Sequence, residues 1–460
     1  MERVDLVIKN GKLVIPRYGV MEGSLAIRNG KVVGIFDPSE KTPSGEEIDV
    51  RGKYVMPGVI DPHSHVGYPK ANFNRWMETE TPGMAVGGVT TAITFYRQYG
   101  RPPAPITEFY DIKQDFEANS YIDFSFHFMI ATKEQEELYP KYINEYGVNS
   151  FKFSMAYKGE EGKALGITNE IDDGFLFESF AKLSKYPQAI ACIHCENVEI
   201  AFPITKALQA AGRNDLAAYT EARPDYCEAE NMRRVFYFGE LTGCTVYVVH
   251  MSEKKGLLEI GYQRARGSKA KFYIETCSHY LTHTKDSPVG ILGKVNPPFR
   301  TQEDIDALWE GLADGRIDTL GSDHCDITIE QKKNDIWKGV PGFAGSGMIL
   351  PVLLSEGVNK GRLTIERAAE VSSYNTAKIF GLYPKKGTIQ VGSDADLAIV
   401  DLNFEQVVTA KTLPSAADFS IYEGWKMKGW PVMTIIRGEI VAQDGKVVEK
   451  KGFGRFVARK

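Results

Sequence analysis

The chain has 460 residues, 43% of them hydrophobic and 25% charged, with 44 glycines spread along its length; this is the make-up of a globular protein too long for one small domain, and it excludes a disordered chain. A formal charge of -5 and a pI near 6.0 leave no basic field for nucleic acid. The opening MERVDLVIKNGKLVI is charged at once, unlike a signal peptide, and no later run reaches the ~18 apolar residues of a membrane span, so a cytoplasmic protein with no membrane partner is expected.

Residues 1–55 alternate apolar and polar positions around Asn-Gly and similar turns (DLVIKNGKLVI, GSLAIRNGKVVGIF, EEIDVRGKYVM), which predicts antiparallel hairpins. From Met56 the style changes. Eight β-rich runs alternate with helical stretches: GVIDPHSHV, TTAITFY, DFSFHFMIA, SFKFSMA, AIACIHCEN, TVYVVHMS, FYIETCSHY and IDTLGSDH. That alternation predicts a (β/α)8 TIM-like barrel over 56–383, with catalytic groups at the strand C-terminal ends. After Gly381 the hairpins return in KKGTIQVGSDADLAIVDL and PVMTIIRGEIVAQDGKVVEKKG, so residues 384–460 are expected to join 1–55 in a smaller β-sandwich domain closed by both chain ends. The basic tail, KVVEKKGFGRFVARK, reads as a solvated or subunit-contacting end. Cys192 and Cys195 form the only CxxC among six cysteines, so reduced, buried thiols are expected and a structural zinc site is not.

His63 and His65 stand two apart on a strand, so both side chains face one side, as two ligands of one metal require. A lone HxH is a weak signal, better explained by polarity at a strand end. Its weight comes from company: His194 ends the fifth run, His250 the sixth and Asp323 the eighth. Burying all five as isolated polar groups would be costly, whereas four imidazoles and a carboxylate at one barrel mouth suit zinc, manganese or a similar ion. Lys152 on the fourth run is out of place as an ammonium; desolvated, it would lose its proton and could take up CO2 to become a carbamate with one oxygen for each of two metals. His127, His279, His283 and His324 read as hydrogen-bonded structural histidines.

VMPGVIDPHSH, SFKFSMAYKG, IHCEN, VYVVHMS, IETCSHYL, GSDHCD, KKGTIQVGSDADL and YEGWKMKGWPV together resemble the amidohydrolase superfamily, in its hydantoinase and dihydropyrimidinase branch, over nearly the whole chain. The resemblance implies two divalent metal ions, most simply Zn2+, one held by His63, His65, Lys152 and Asp323, the other by Lys152, His194 and His250, with carboxylated Lys152 as bridge. It assigns Tyr157 to oxyanion stabilisation, Asp323 to proton transfer, and Asn296 and Lys338 to the substrate ring, Lys338 through its backbone. The implied reaction is opening of a cyclic amide, a ureide or imide, by hydroxide held between the metals. A homo-oligomer, tetramer or dimer, is implied as well.

Some positions depart from the branch. The arginine of the HxHxR pattern that meets a dihydroorotate carboxylate is absent, Gly67 standing there, so dihydroorotate is disfavoured. Val295 to Arg300 read VNPPFR rather than SPPxR, and Lys338 replaces an asparagine, which points to a ring other than dihydrouracil or plain hydantoin. Tyr68, Phe73, Trp76, Tyr96 and Tyr99 would suit an aromatic-walled pocket or ordinary loop packing, and Arg97 an acidic substituent or plain surface charge. The competing functions are allantoinase or another amidohydrolase chemistry, and a non-catalytic dihydropyrimidinase-related interaction protein, which metal analysis would separate.

Overall fold

The computed structural model describes residues 3–40, 43–65, 73–98, 102–164, 167, 171–268 and 270–459. The chain begins with β1 (Val4–Ile15), β2 (Gly19–Arg28), β3 (Lys31–Phe36), β4 (Ser44–Asp49) and β5 (Tyr54–Pro57). The barrel strands follow: β6 (Val59–His65), β7 (Val89–Tyr96), β8 (Asp123–Met129), β9 (Ser150–Ser154), β10 (Ile190–His194), β11 (Thr245–Val248), β12 (Phe272–Cys277) and β13 (Thr319–Gly321). Each of the eight expected runs carries one. Neighbours from β6 to β13 pair in sequence order, and the ring closes where Ser64 bridges His324 and the His65 amide donates to the His324 carbonyl at 2.8 Å.

Period-two alternation decides what lies inside that ring. In β8, Phe124, Phe126 and Phe128 join the large core shared with the surrounding helices, leaving Ser125 and His127 inward. In β9, Phe151 and Phe153 face out in the same way and Ser150, Lys152 and Ser154 fall on the inner side. The barrel interior has its own apolar cluster, in which Ile60, Ile93, Phe95, Cys192, Tyr247 and Val249 are joined by Phe380 and Leu382 from beyond the last barrel strand and by Val457 from the tail.

The last strands are β14 (Leu397–Val407), β15 (Lys426–Ile436), β16 (Glu439–Gln443) and β17 (Lys446–Val447). As expected, they join the first strands: β14 pairs with β5, giving one continuous sheet in the order β17-β16-β15-β14-β5-β1-β2-β3, with β4 on β1. Ile8, Leu25, Val55, Leu397 and Ile435 share its core. The tail differs from expectation. Lys450, Lys451 and Arg455 are exposed, but its end docks on the barrel: Gly454 lies so close to Ile122 that a Cβ would stand 1.9 Å from its carbonyl oxygen, and Arg459 is buried among β8 and β9. All six cysteines are free and buried. No described helix is long and apolar enough to cross a membrane.

Candidate metal centre

Strand alternation aims Lys152 and His194 into the barrel on β9 and β10, and on β6 a register shift between Asp61 and Ser64 brings His63 to the same side. His250 is different. Tyr247 and Val249 face inward, so alternation alone would turn His250 outward with Val246 and Val248. A left-handed backbone at His250 (φ 41°) brings it back, and its ring lies 5.2 Å from His63 and 4.5 Å from His194. Asp323 is also left-handed, at φ 51°. Such strain in non-glycine residues is tolerated where a site over-determines it.

The geometry favours a cation. Donor atoms of His63, His65 and Asp323 lie within 4.8 Å of one another. Asp323 Oδ1 is 3.0 Å from His63 Nε2 and 2.9 Å from His65 Nε2. Yet His63 Nε2 is off the line a hydrogen bond needs, and His250 Nδ1 is buried with no hydrogen-bond partner among the described residues. Burial would push Asp323 up, but His63 and His65 hold it well below the usual carboxylate range. Burial likewise would depress His63, yet Glu275 and Asp323 raise it to about 9. Two carboxylates thus draw positive charge to this imidazole, a demand that a divalent ion answers better than a proton. Burial lowers His65 to about 4 and also lowers His194 and His250, keeping these rings neutral with lone pairs to offer. Lys152 is buried, its Nζ 4.6 Å from the Phe95 ring centre, and desolvation lowers its pKa against the pull of Asp323 and Glu275. The residue set therefore fits a metal site of nitrogen and oxygen donors.

Three buried carboxylates that sequence reading did not single out orient these groups. Glu275 accepts from His63 Nδ1 at 2.5 Å, from the His250 amide at 2.9 Å and from the Tyr247 hydroxyl at 2.8 Å. The first bond places the His63 proton on Nδ1 and frees Nε2 toward the cavity. Gly321 permits it, since a Cβ there would stand 2.9 Å from the Glu275 carboxyl carbon. Asp61 accepts from the His63 amide at 3.0 Å and from the Ser322 and Ser346 hydroxyls at 2.6 Å each, tying β6 to the end of β13. Glu196 meets His194 Nε2 at 3.2 Å and Arg223 at 2.6 Å. A carboxylate inside an apolar strand, as in VIDPH and FYIETC, was the available signal.

Above these groups opens a cavity of about 530 Å³ lined by His65, Lys152, Tyr157, His194, His250 and Asp323, with Asn296, Cys325, Pro341 and Gly342 opposite. The Tyr157 ring lies 6.5 Å from His194. Asn296 Oδ1 accepts from the Tyr219 hydroxyl at 2.5 Å, which leaves its amide NH2 to donate. Lys338 does not line the cavity; its side chain is exposed beside Asp335, and its segment reaches the cavity through Pro341 and Gly342. Trp76 and Tyr96 pack into the core, and Arg97 borders a separate cavity of about 290 Å³. Tyr68 and Tyr99 lie outside the described residues, as does the Phe73 side chain. His127, His283 and His324 are hydrogen-bonded within the protein, to Ser150, Thr282 and Glu80 among others, as expected. His279 is buried among Tyr280, Phe299 and Phe343, its ring nitrogens without hydrogen-bond partners among the described residues.

Comparison with known proteins agrees with this geometry. The L-hydantoinase of Paenarthrobacter aurescens is 35% identical over 99% of this chain and 98% of its own, and the D-hydantoinase of Geobacillus stearothermophilus is 35% identical over 98% and 96%. The crystal structure of the L-hydantoinase (dihydropyrimidinase) from Arthrobacter aurescens superposes with a TM-score of 0.91 at 34% identity, covering 99% of this chain and 100% of that one. The model of the amidohydrolase family matches residues 54–441, and the chain belongs to that family.

Proposed function

We propose that this protein is a hydrolase that opens cyclic amides, ring ureides or imides such as hydantoins and dihydropyrimidines, at a two-metal centre. The observation that carries the proposal is the convergence of His65, His194, His250, a carboxylate and a desolvated lysine on one cavity at the barrel's C-terminal face, with the His63 ring 5.2 Å from that of His250. His63, His65, Lys152 and Asp323 would hold one ion and Lys152, His194 and His250 the other, with Lys152 bridging as a CO2-derived carbamate. Imidazole and carboxylate donors suit Zn2+. When bound, the two ions supply hydroxide near neutral pH and polarise the ring carbonyl.

The chain's own groups do the rest. Asn296 donates its NH2 to the ring, and the backbone at Pro341 and Gly342 faces it from the same wall. The Tyr157 hydroxyl donates to the oxyanion as the flat amide becomes tetrahedral, an interaction stronger in the transition state than in the substrate. Asp323 takes the nucleophile's proton and passes it to the departing ring nitrogen, without which an amide nitrogen is a very poor leaving group. Its depressed pKa leaves it ionised and ready to accept. The same reading takes residues 56–383 as the catalytic barrel of a cytoplasmic homo-oligomer, a dimer or tetramer.

Hydrolysis of dihydrouracil, 5-aryl hydantoins, allantoin and dihydroorotate, side by side on zinc-loaded protein, tests the assignment. A cyclic ureide or imide should be opened and dihydroorotate left intact, because the arginine for its carboxylate is missing. Preference for dihydroorotate over every other ring would overturn the proposal.

A further inference from the structure

The mouth of the barrel accounts for the chemistry, but its foot holds a group that packing alone does not require. The tail runs across the N-terminal ends of β8 and β9: the Val457 amide donates to the Phe124 carbonyl at 2.8 Å and the Arg459 amide to the Gly147 carbonyl at 2.8 Å. The Arg459 side chain then enters the barrel interior, where its Nε donates to Ser125 Oγ at 2.9 Å, one Nη to Ser150 Oγ at 2.7 Å and the other to the Phe126 carbonyl. It is 1% exposed, and no carboxylate pairs with it among the described residues. Its guanidinium lies 5.8 Å from the Phe380 ring centre, and a cation without a carboxylate is an expensive filler where an apolar side chain would serve.

A one-way chain of hydrogen bonds rises from that cation. Ser150 Oγ lies 2.6 Å from His127 Nδ1, and His127 Nε2 lies 2.9 Å from the Pro62 carbonyl. The carbonyl can only accept, so His127 carries its proton on Nε2 and accepts at Nδ1. Ser150 must therefore donate upward, and its oxygen accepts from Arg459, which can only donate. Every link has a fixed sense. Pro62 directly precedes His63, and Ser150 lies two residues before Lys152 on the same inward face of β9. The His127 ring also stacks 4.5 Å beneath Phe95, whose ring touches both His63, at 4.6 Å, and Lys152 Nζ, at 4.6 Å.

We propose that Arg459 is a positioning residue for the metal site: from the foot of the barrel it fixes Ser150 and His127, and through them the strand ends that carry His63 and Lys152. The inference rests on the two-metal reading above and adds to it that the last turn of the tail sets the affinity of a centre at the other end of the barrel.

Zinc affinity, measured by chelator competition on the full chain together with melting temperature, tests it. Arg459→Met keeps the unbranched stem in the barrel and removes the donors; it should weaken zinc binding about 10-fold, the lower end of what loss of an outer hydrogen-bond partner costs a metal site. Ser150→Ala, which leaves the other bonds of Arg459 in place, should do the same. Because both act through one chain of bonds, the double variant should bind zinc no more weakly than the worse single. Wild-type zinc affinity in a folded Arg459→Met protein, even with a lowered melting temperature, would show that Arg459 only ties down the tail and would overturn the proposal; so would effects that simply add. If Arg459→Met does not fold, Ser150→Ala decides, and wild-type affinity there overturns it equally. A wild-type chain that takes up no metal would strike the two-metal reading and this proposal together, whereas wild-type uptake with unchanged variants strikes the proposal alone.

Discussion

Of the clusters of buried charge among the described residues, two are built on opposite plans. At the joint between barrel and small sheet, Lys386 donates to Asp123 at 2.7 Å and to Asp396, with Asp394 at 3.4 Å, while Arg437 takes the other oxygen of Asp123. Burial alone would lower the Lys386 ammonium, but the three aspartates raise it. Carboxylates there meet cations that the chain supplies itself. At the barrel mouth Asp323 and Glu275 face imidazoles, Lys152 rests on the Phe95 ring, and His250 Nδ1 has no hydrogen-bond partner among the described residues. A self-satisfied cluster holds two parts of a fold together. One whose lone pairs converge on a cavity is fitted for something from outside.

Lys152→Ala should break the second plan most completely. Without a bridge each ion loses a donor, so metal content and turnover should collapse together, turnover on the order of 1,000-fold or more, since several kcal/mol of metal-assisted stabilisation go with it. Acetate or propionate supplied with zinc should restore part of both, and circular dichroism should show an intact fold. Two metals per chain and normal turnover in the alanine variant would remove Lys152 from the bridge. Lys386→Met makes the opposite test: it leaves buried carboxylates short of a cation, and denaturant unfolding should show a loss of ~3–5 kcal/mol, while the folded fraction keeps near-normal turnover. Should stability hold and turnover fall, the two clusters would not divide the work as drawn. Asp323→Asn keeps a ligand oxygen but removes the base, so turnover should drop ~100-fold with metal still bound. Near-normal turnover would assign the proton to another group.

Alternation made most of this legible in the sequence. SFKFS alone places Lys152 inward between serines and its phenylalanines outward, and the apolar runs ending in His63, His194 and Asp323 mark strand ends. The likeness of the two flanks foretold that they would join in one small β-domain, which they do where β5 pairs with β14. What escaped depends on contacts between distant strands. No local pattern says that His250 and Asp323 take a left-handed backbone, or that Glu275 on β12 braces His63 on β6. Nor does a run of basic residues reveal that Arg459 ends inside the barrel, because a tail's burial is decided by the strands it meets. Lys338 stands in a segment that resembles the family's ring-binding stretch, but an exposed lysine at a turn reaches the cavity only through Pro341 and Gly342, which follow.

Another buried cation, Lys332, sharpens the comparison, because it belongs to neither plan. Lys332 is buried with its Nζ donating to the Lys294 carbonyl at 3.0 Å and the Gly342 carbonyl at 2.6 Å, and so pins together the two segments that carry Asn296 and Gly342 to the cavity wall. Desolvation and the nearby Lys294 lower its pKa from 10.5 to about 7, although its Nζ lies 5.8 Å from the Phe343 ring centre and 5.6 Å from that of Phe419. The sign follows from linkage. Between pH 7 and about 10.5 the unfolded chain binds a proton at this site that the folded chain has released, so this lysine makes stability rise with pH through that window; below 7 both states are protonated and its contribution is constant. Lys332→Met fills the same space and carries no proton. Subtracting its stability from that of the wild type removes the titration of other groups, and the difference should move in favour of the wild type by on the order of 2 kcal/mol from pH 7 to pH 9. Measured by denaturant unfolding at fixed ionic strength, a flat difference over that range would mean that Lys332 stays charged when buried, held by carbonyl oxygens alone.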